Sequence, residues 1–309
     1  MPIKRRKFLS LGLGSFATAA VGQYYLTPAQ GSLAANEIAP VNSQSNHPPY
    51  FRFIAIGDFG TGEPEQYAVA QTMLQQWHSV PFSLALTTGD NIYPNGEIEK
   101  IEAVFERPYA DLLQNGVKFY ASLGNHDVRT NQGADQIAYA GYNMKGRYYT
   151  FREQTVQFFA LDTNQKCNLS GRMRESSWEN QLQWLRTELE KSTAPWKIVF
   201  AHHPVYSSGA HGSDDALADA LAPLFATYGV QLYVNGHDHN YERTKQINGT
   251  TYITSGNGAK LRPVEASSYS AHASAQLGFT AFNVYLDRIV VQAINTDSNV
   301  YDEVHILQA

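Results

Sequence analysis

Strand-length runs of apolar and aromatic residues recur along this chain, and five of them stop abruptly at Asp, Asn or His. The stops are Gly57-Asp58-Phe59-Gly60, Gly89-Asp90-Asn91-Ile92-Tyr93, Gly124-Asn125-His126-Asp127, Val199-Phe200-Ala201-His202 and Gly236-His237-Asp238-His239. Phe51 to Ile56 runs almost unbroken into the first of them, the pattern of a strand buried on both faces. Glu63 to Trp77 follows, with Pro64 near its start and Val69, Met73 and Leu74 at helical spacing. Phe82 to Leu86 predicts a second strand, Phe105 to Leu113 a helical region, and Val117 to Leu123 a third strand.

Tyr148-Tyr149-Thr150-Phe151 and Val156 to Leu161 are adjacent β-like runs and predict a hairpin. Trp178 to Lys191 predicts a helix with Leu182, Leu185 and Leu189 on one stripe, and Trp196 to Ala201 the next strand. Ser213-Asp214-Asp215 opens a helix through Phe225 with Ser or Asp as its N-cap, and Val230 to Val234 is again a strand. Beyond Tyr241 the pattern turns to strands at Thr251 to Thr254, Phe279 to Leu286, Ile289 to Ile294 and Val300 to Ile306, with tight turns expected at Asn248-Gly249 and Asp287-Arg288. The fold class is therefore α/β, with two packed β-sheets flanked by helices. In such sheets ligands bind outside the carboxyl ends of the strands, so the five polar loops are expected to converge on one site.

Composition narrows the picture. No Pro/Gly/Ser-rich linker divides the 309-residue chain after residue 50, which predicts a single catalytic domain over 50–309. Net charge is −5, and beyond Lys4, Arg5, Arg6 and Lys7 the remainder carries 19 basic against 28 acidic residues. A chain this acidic is a poor nucleic-acid binder. Residues 1–35 have a basic start, an apolar stretch from Phe8 to Val21 and small residues near Ala35, which predicts an export signal. Arg5-Arg6-Lys7-Phe8-Leu9 resembles the twin-arginine pattern, implying the twin-arginine export machinery as a partner and a periplasmic or extracellular destination. The apolar run is shorter than the roughly 20 residues a spanning helix needs, so no stable membrane insertion is expected. Residues 36–49, rich in Asn, Ser, Gln and Pro, read as a flexible linker, and Cys167, the only cysteine, excludes an intrachain disulfide.

Imidazole nitrogen together with carboxylate and amide oxygen suits Zn, Mn, Fe, Co or Ni. The five segments match, in order, the pattern D-x-G, G-D-x-x-Y, G-N-H-D/E, V-x-x-H and G-H-x-H, and with it the chain resembles the calcineurin-like metallophosphoesterases, specifically the small, mammalian-type purple acid phosphatases. The resemblance extends to His203-Pro204-Val205-Tyr206-Ser207 and His211. It implies a four-layer sandwich of mixed sheets and helices, and a dinuclear centre of Fe(III) plus divalent Fe, Zn or Mn. Asp58, Tyr93 and His239 are then assigned to the ferric ion, Asn125, His202 and His237 to the divalent ion, and Asp90 to both. His126 and His211 correspond to histidines that hold phosphate and help protonate the leaving group. The implied activity is hydrolysis of phosphate monoesters by hydroxide held on the metals. A Zn or Mn phosphodiesterase or nucleotidase is the alternative on the same scaffold, and a non-catalytic phosphate- or metal-binding protein the alternative outside enzymes.

Taken singly, each residue has a duller reading. Asp58 and Asp90 suit turns or helix caps, Asn125 a turn, and Tyr93 an ordinary loop. Taken together, seven donors at strand ends point to ligands. His203 is expected to pack behind the site, Asp127 and Asp238 to orient neighbours, and Asp162 and Asn164 to form a turn. His78, His272 and His305 read as surface or packing residues. The loop at 259–275, with Lys260 and Arg262, is a candidate for shaping specificity.

Overall fold

A computed structural model describes residues 48–164 and 175–308. In chain order the strands are β1 (Phe51–Ile56), β2 (Leu84–Thr87), β3 (Lys118–Ala121), β4 (Tyr149–Glu153), β5 (Val156–Ala160), β6 (Trp196–Phe200) and β7 (Leu232–Asn235). They continue as β8 (Tyr241–Thr244), β9 (Thr251–Ser255), β10 (Ser270–Ser274), β11 (Gly278–Val284), β12 (Arg288–Asn295) and β13 (Val300–Leu307). The helices are α1 (Pro64–Ser79), α2 (Ala110–Gln114), α3 (Ala134–Ala138), α4 (Glu175–Lys191) and α5 (Asp215–Tyr228).

Two mixed sheets result, ordered β13-β12-β11-β1-β2-β3 and β10-β8-β9-β7-β6-β5-β4. In the first, β1, β2 and β3 run parallel; in the second, β5, β6, β7 and β9 do. The period-2 alternation of strands explains their packing. Phe51, Phe53 and Ala55 of β1 face the opposite sheet, while Ile54 and Ile56 face the helical layer with Val69 and Met73 of α1. Phe53 stacks on Phe282 at 4.4 Å and meets Phe158 of the second sheet edge-on at 5.1 Å, aromatic contacts worth about 0.5–1.5 kcal/mol each beyond their burial. On the outer face of the second sheet, Leu185 and Leu189 of α4 and Leu217, Leu221 and Phe225 of α5 cover Phe159, Val199 and Tyr233. The architecture is the expected four layers, and the described residues form one compact unit.

Several boundaries differ from expectation. The helical region at 105–113 is broken: Arg107 N–H reaches back five residues to Glu102 O (2.9 Å), and α2 begins only at Ala110, beyond Pro108, which lacks the donor a continuous helix needs. Strands β8 and β10 were hidden by polar composition, Tyr241-Glu242-Arg243-Thr244 and the Ser/Ala-rich 270–274. The two-residue turn at Asn248-Gly249 holds, with φ of 49° and 90°. The later turn falls one residue earlier than predicted, since Tyr285 N–H already bonds Arg288 O. The N-cap of α5 is Asp214, whose Oδ1 accepts from Leu217 N–H at 2.9 Å. Asp162 and Asn164 do close a turn and are buried there: Asp162 pairs with Arg147 at 3.0 Å, and Asn164 Nδ2 donates to Leu123 O. The export segment 1–35, most of the 36–49 linker and Cys167 lie outside the described residues. No described helix is long and apolar enough to cross a membrane.

One polar clasp joins the sheets at their edges. Arg243 of β8 forks onto Asp302 of β13 through Nε (2.7 Å) and Nη2 (2.8 Å), and Tyr241 Oη donates to the same carboxylate. Burial works to raise the Asp302 pKa, but the Arg243 and Tyr241 hydrogen bonds outweigh it and hold the group below the usual carboxylate range.

Candidate metal centre

The five polar loops leave the carboxyl ends of β1, β2 and β3 in one sheet and of β6 and β7 in the other, and meet in one cleft. Three of their residues, Asp58, Asp90 and His237, sit at φ of 57°, 53° and 70°, a left-handed backbone that costs non-glycine residues about 1–3 kcal/mol and persists where surroundings enforce it. The enforcement is visible. His237 N–H donates to Asp58 Oδ2 (2.8 Å) and His126 N–H to Asp90 Oδ1 (2.9 Å), so backbone from one loop clamps the carboxylate of another. Gly124 packs so closely on Asp90 that a Cβ there would collide with its carboxylate.

The side chains fall into two triangles. Asp58 Oδ1, Tyr93 Oη and His239 Nε2 lie 3.2, 3.3 and 3.5 Å apart. Asn125 Oδ1, His202 Nε2 and His237 Nδ1 lie 3.0, 3.1 and 3.1 Å apart. Asp90 stands between them: its Oδ1 is 3.5 Å from His202 Nε2, and its carboxylate clusters with the Asp58 carboxylate and the His202 imidazole. Ligands about 2.1 Å from one ion stand about 3.0–3.4 Å from each other in octahedral or tetrahedral coordination, so each triangle has the dimensions of a ligand face.

Proton placement supports the same use. His202 Nδ1 faces Thr88 O at 2.9 Å, and a carbonyl only accepts, so Nδ1 carries the hydrogen and Nε2 turns a lone pair into the triangle. There it meets the Asn125 oxygen and Asp90, a convergence of lone pairs and negative charge that fits a cation. Burial opposes a charge on His202, yet Asp90 and Asp58 outweigh it and raise its pKa. For His237, burial and then the His202 charge drive the pKa down, keeping it neutral. Tyr93 is pushed far up, first by burial and then by the Asp58 and Asp90 carboxylates, so only a cation in the triangle would draw off its proton.

Around the triangles, His126 Nδ1 is fixed on Pro94 O (2.6 Å), and its Nε2 lies 3.9 Å from Asp90 Oδ2. His211 stacks on His237 with ring centroids 4.1 Å apart. Asp238 holds that loop by accepting from His211 N–H (3.0 Å) and Ser207 Oγ (2.5 Å). Asp127 accepts from Gly124, Asn91 and Ile92 N–H groups and from Gln136 Nε2, tying three loops together. His203 is buried beside the cluster and bonds Thr163 Oγ1 at 2.7 Å. His272 and His305 lie far along the chain, against Asp302 and Glu303. Sequence reading passed over Asn91, Gln136 and Arg129; the i,i+3 spacing of His126 and Arg129 was the available signal for the last, whose Nη2 is 3.4 Å from His126 Nε2.

A family model for calcineurin-like phosphoesterases matches residues 51–241. Tartrate-resistant acid phosphatase type 5 of Mus musculus is 31% identical over 245 residues, 70% of this chain and 74% of that protein. Purple acid phosphatase 4 of Arabidopsis thaliana is 30% identical over 247 residues, 72% of this chain and 73% of that protein. Among solved structures, GAP50, the anchor in the inner membrane complex of Plasmodium, shares the fold at a TM-score of 0.75 with 22% identity, covering 84% of this chain and 89% of that one. Purple acid phosphatase PPD1 of yellow lupin (Lupinus luteus) does so at 0.68 with 20% identity, covering 83% of this chain and 53% of that one. The motifs, the fold and these relatives agree: the chain belongs to the calcineurin-like phosphoesterase family, among its purple acid phosphatases.

Proposed function

We propose that the chain is an acid phosphatase that hydrolyses phosphate monoesters at a centre of Fe(III) and a divalent ion, Fe, Zn or Mn. The observation that carries this reading is the pair of donor triangles with Asp90 between them. Asp58, Tyr93 and His239 would hold the ferric ion, Asn125, His202 and His237 the divalent one, and Asp90 would serve both. Bound there, the two ions supply a water of lowered pKa and a clamp for attacking and leaving oxygens.

The chain's own part is positioning and proton handling. His126, its Nδ1–H anchored on Pro94 O, offers Nε2 toward the cleft. His211 receives an Arg262 Nη1–H at Nε2, so its neutral form keeps the hydrogen at Nδ1. These two imidazoles flank the triangles and are the candidates to hold phosphoryl oxygens and protonate the departing alcohol. In this reading residues 50–309 act as one catalytic domain, and residues 1–35 as a twin-arginine signal that delivers the folded protein outside the cytosol. N-terminal sequencing of exported protein checks the last point, with a start just beyond Ala35 expected.

The same fold serves as an anchor in Plasmodium, so activity has to decide. Elemental analysis, a visible spectrum and an aryl phosphate assay on the purified protein test the proposal together. Iron with an equal amount of a divalent metal, a tyrosinate charge-transfer band and phosphate release are expected. Protein that binds no metal, or that is loaded yet inert toward aryl phosphate, overturns it.

A further inference from the structure

Tyr93 carries a cation on its ring. Lys260 Nζ lies 3.7 Å above the ring centre, the distance of a cation–π contact, while the ring itself is buried. Both side chains line one cavity of about 810 Å³ together with His126 and His239. Backbone on either side of Lys260 is fixed to the loops of the Asp58 triangle: Gly258 N–H donates to Gly57 O (3.1 Å) and Arg262 N–H to His239 O (2.8 Å). Gly258 sits so close that a Cβ there would collide with Gly57 O. Among the described residues no carboxylate lies within ion-pair distance of Lys260, so no adjacent acid cancels its charge. The ammonium therefore faces the one aromatic side chain that also supplies a donor atom to a triangle, through Oη.

We infer that Lys260 tunes the tyrosinate-bound ferric site, raising the energy of its charge-transfer band and making the iron easier to reduce. This rests on the assignment of Tyr93 to a ferric ion above. Charge transfer draws electron density off the phenolate ring toward an ion beyond Oη, away from the ammonium, which opposes the movement. Reduction adds one electron from an external one-electron donor, and a positive charge nearby favours the product of lower charge. Lys260 is thus a tuning residue: it acts on the metal through the ring of a ligand and donates nothing to either triangle.

The test loads wild type, Lys260→Gln and Lys260→Arg with iron and records visible spectra and redox titrations. In Lys260→Gln the band should move to longer wavelength by about 10–30 nm, and the ferric-to-ferrous ratio at a fixed potential should rise about fivefold. Lys260→Arg keeps a cation that stacks on aromatic faces and should hold both values near wild type. If Lys260→Gln leaves either the band or the ratio unmoved, the proposal falls. It falls equally if Lys260→Arg shifts them as far as Lys260→Gln does, since packing rather than charge is then responsible. Iron-loaded wild type without any tyrosinate band overturns the ferric assignment and this inference with it. A band that Tyr93→Phe abolishes and Lys260→Gln leaves in place sinks this inference alone. Lys260 is exposed, so equal melting temperatures are expected for the three proteins.

Discussion

Asp58, Asp90 and His237 occupy left-handed backbone on buried loops laced together by N–H to carboxylate bonds, whereas Arg129 and Lys260 reach the same cleft on side chains open to solvent. In the floor, main-chain groups hold the Asp58, Asp90 and His202 side chains, so a displacement in one loop is transmitted to another. At the rim, long flexible side chains supply charge with little geometric demand. The contrast is one of constraint: the floor is tied down by bonds between loops, and the rim side chains are held only by their contacts to Tyr93, His126 and Pro94.

The sharpest way to break this contrast is Asp90→Asn. Both half-sites should lose metal together and aryl phosphate turnover should fall about a thousandfold, as several kcal/mol of charge stabilisation disappear; elemental analysis showing loss of one ion alone would contradict a shared ligand. Asp238→Ala comes next. It frees the His211 loop without touching either triangle, so kcat should drop about 10–100-fold at unchanged metal content, with Asp238→Asn restoring much of it. Tyr93→Phe should abolish the visible band of iron-loaded protein while leaving turnover within about tenfold, because Asp58 and His239 remain.

The smallest effect lies away from the cleft. Asp302→Asn should lower Tm by about 3 °C at pH 7. Because the Asp302 carboxyl is depressed in the folded state, its contribution is present above the unfolded value of about 3.9 and is lost as pH falls through the lower folded value. Wild type and variant should therefore converge in Tm at strongly acid pH, which melting curves across the pH range will show.

Much of the floor could be read from residues alone because strand-ending Gly-Asp, Gly-Asn and Gly-His pairs carry both a turn requirement and donor chemistry. All seven proposed ligands come together, in the two groups expected, and β1, β6 and α5 lie where apolar periodicity and capping placed them. The rim was far less legible. Lys260 and Arg262 stood out only as basic residues in a loop, since a cation–π contact with Tyr93 depends on how two distant segments cross. Strands β8 and β10 escaped for a related reason: their polar side chains are satisfied by tertiary partners, as when Glu242 accepts from Ser208 and Ser270, and no local pattern announces that. The break near Pro108 is written in the proline itself, whose missing N–H overrides the flanking apolar spacing.

The Asp302–Arg243 clasp has a consequence for the chain's tail. Strand β13 contributes nothing to either triangle, yet it is buckled to the segment that emerges directly from His239. Trimming the last ten residues would strip an edge from β12 and unfasten β8, letting the His239 end of the cleft drift. Strand β13 thus acts as a brace for a pocket whose donor residues, from Asp58 to His239, all precede it in the chain.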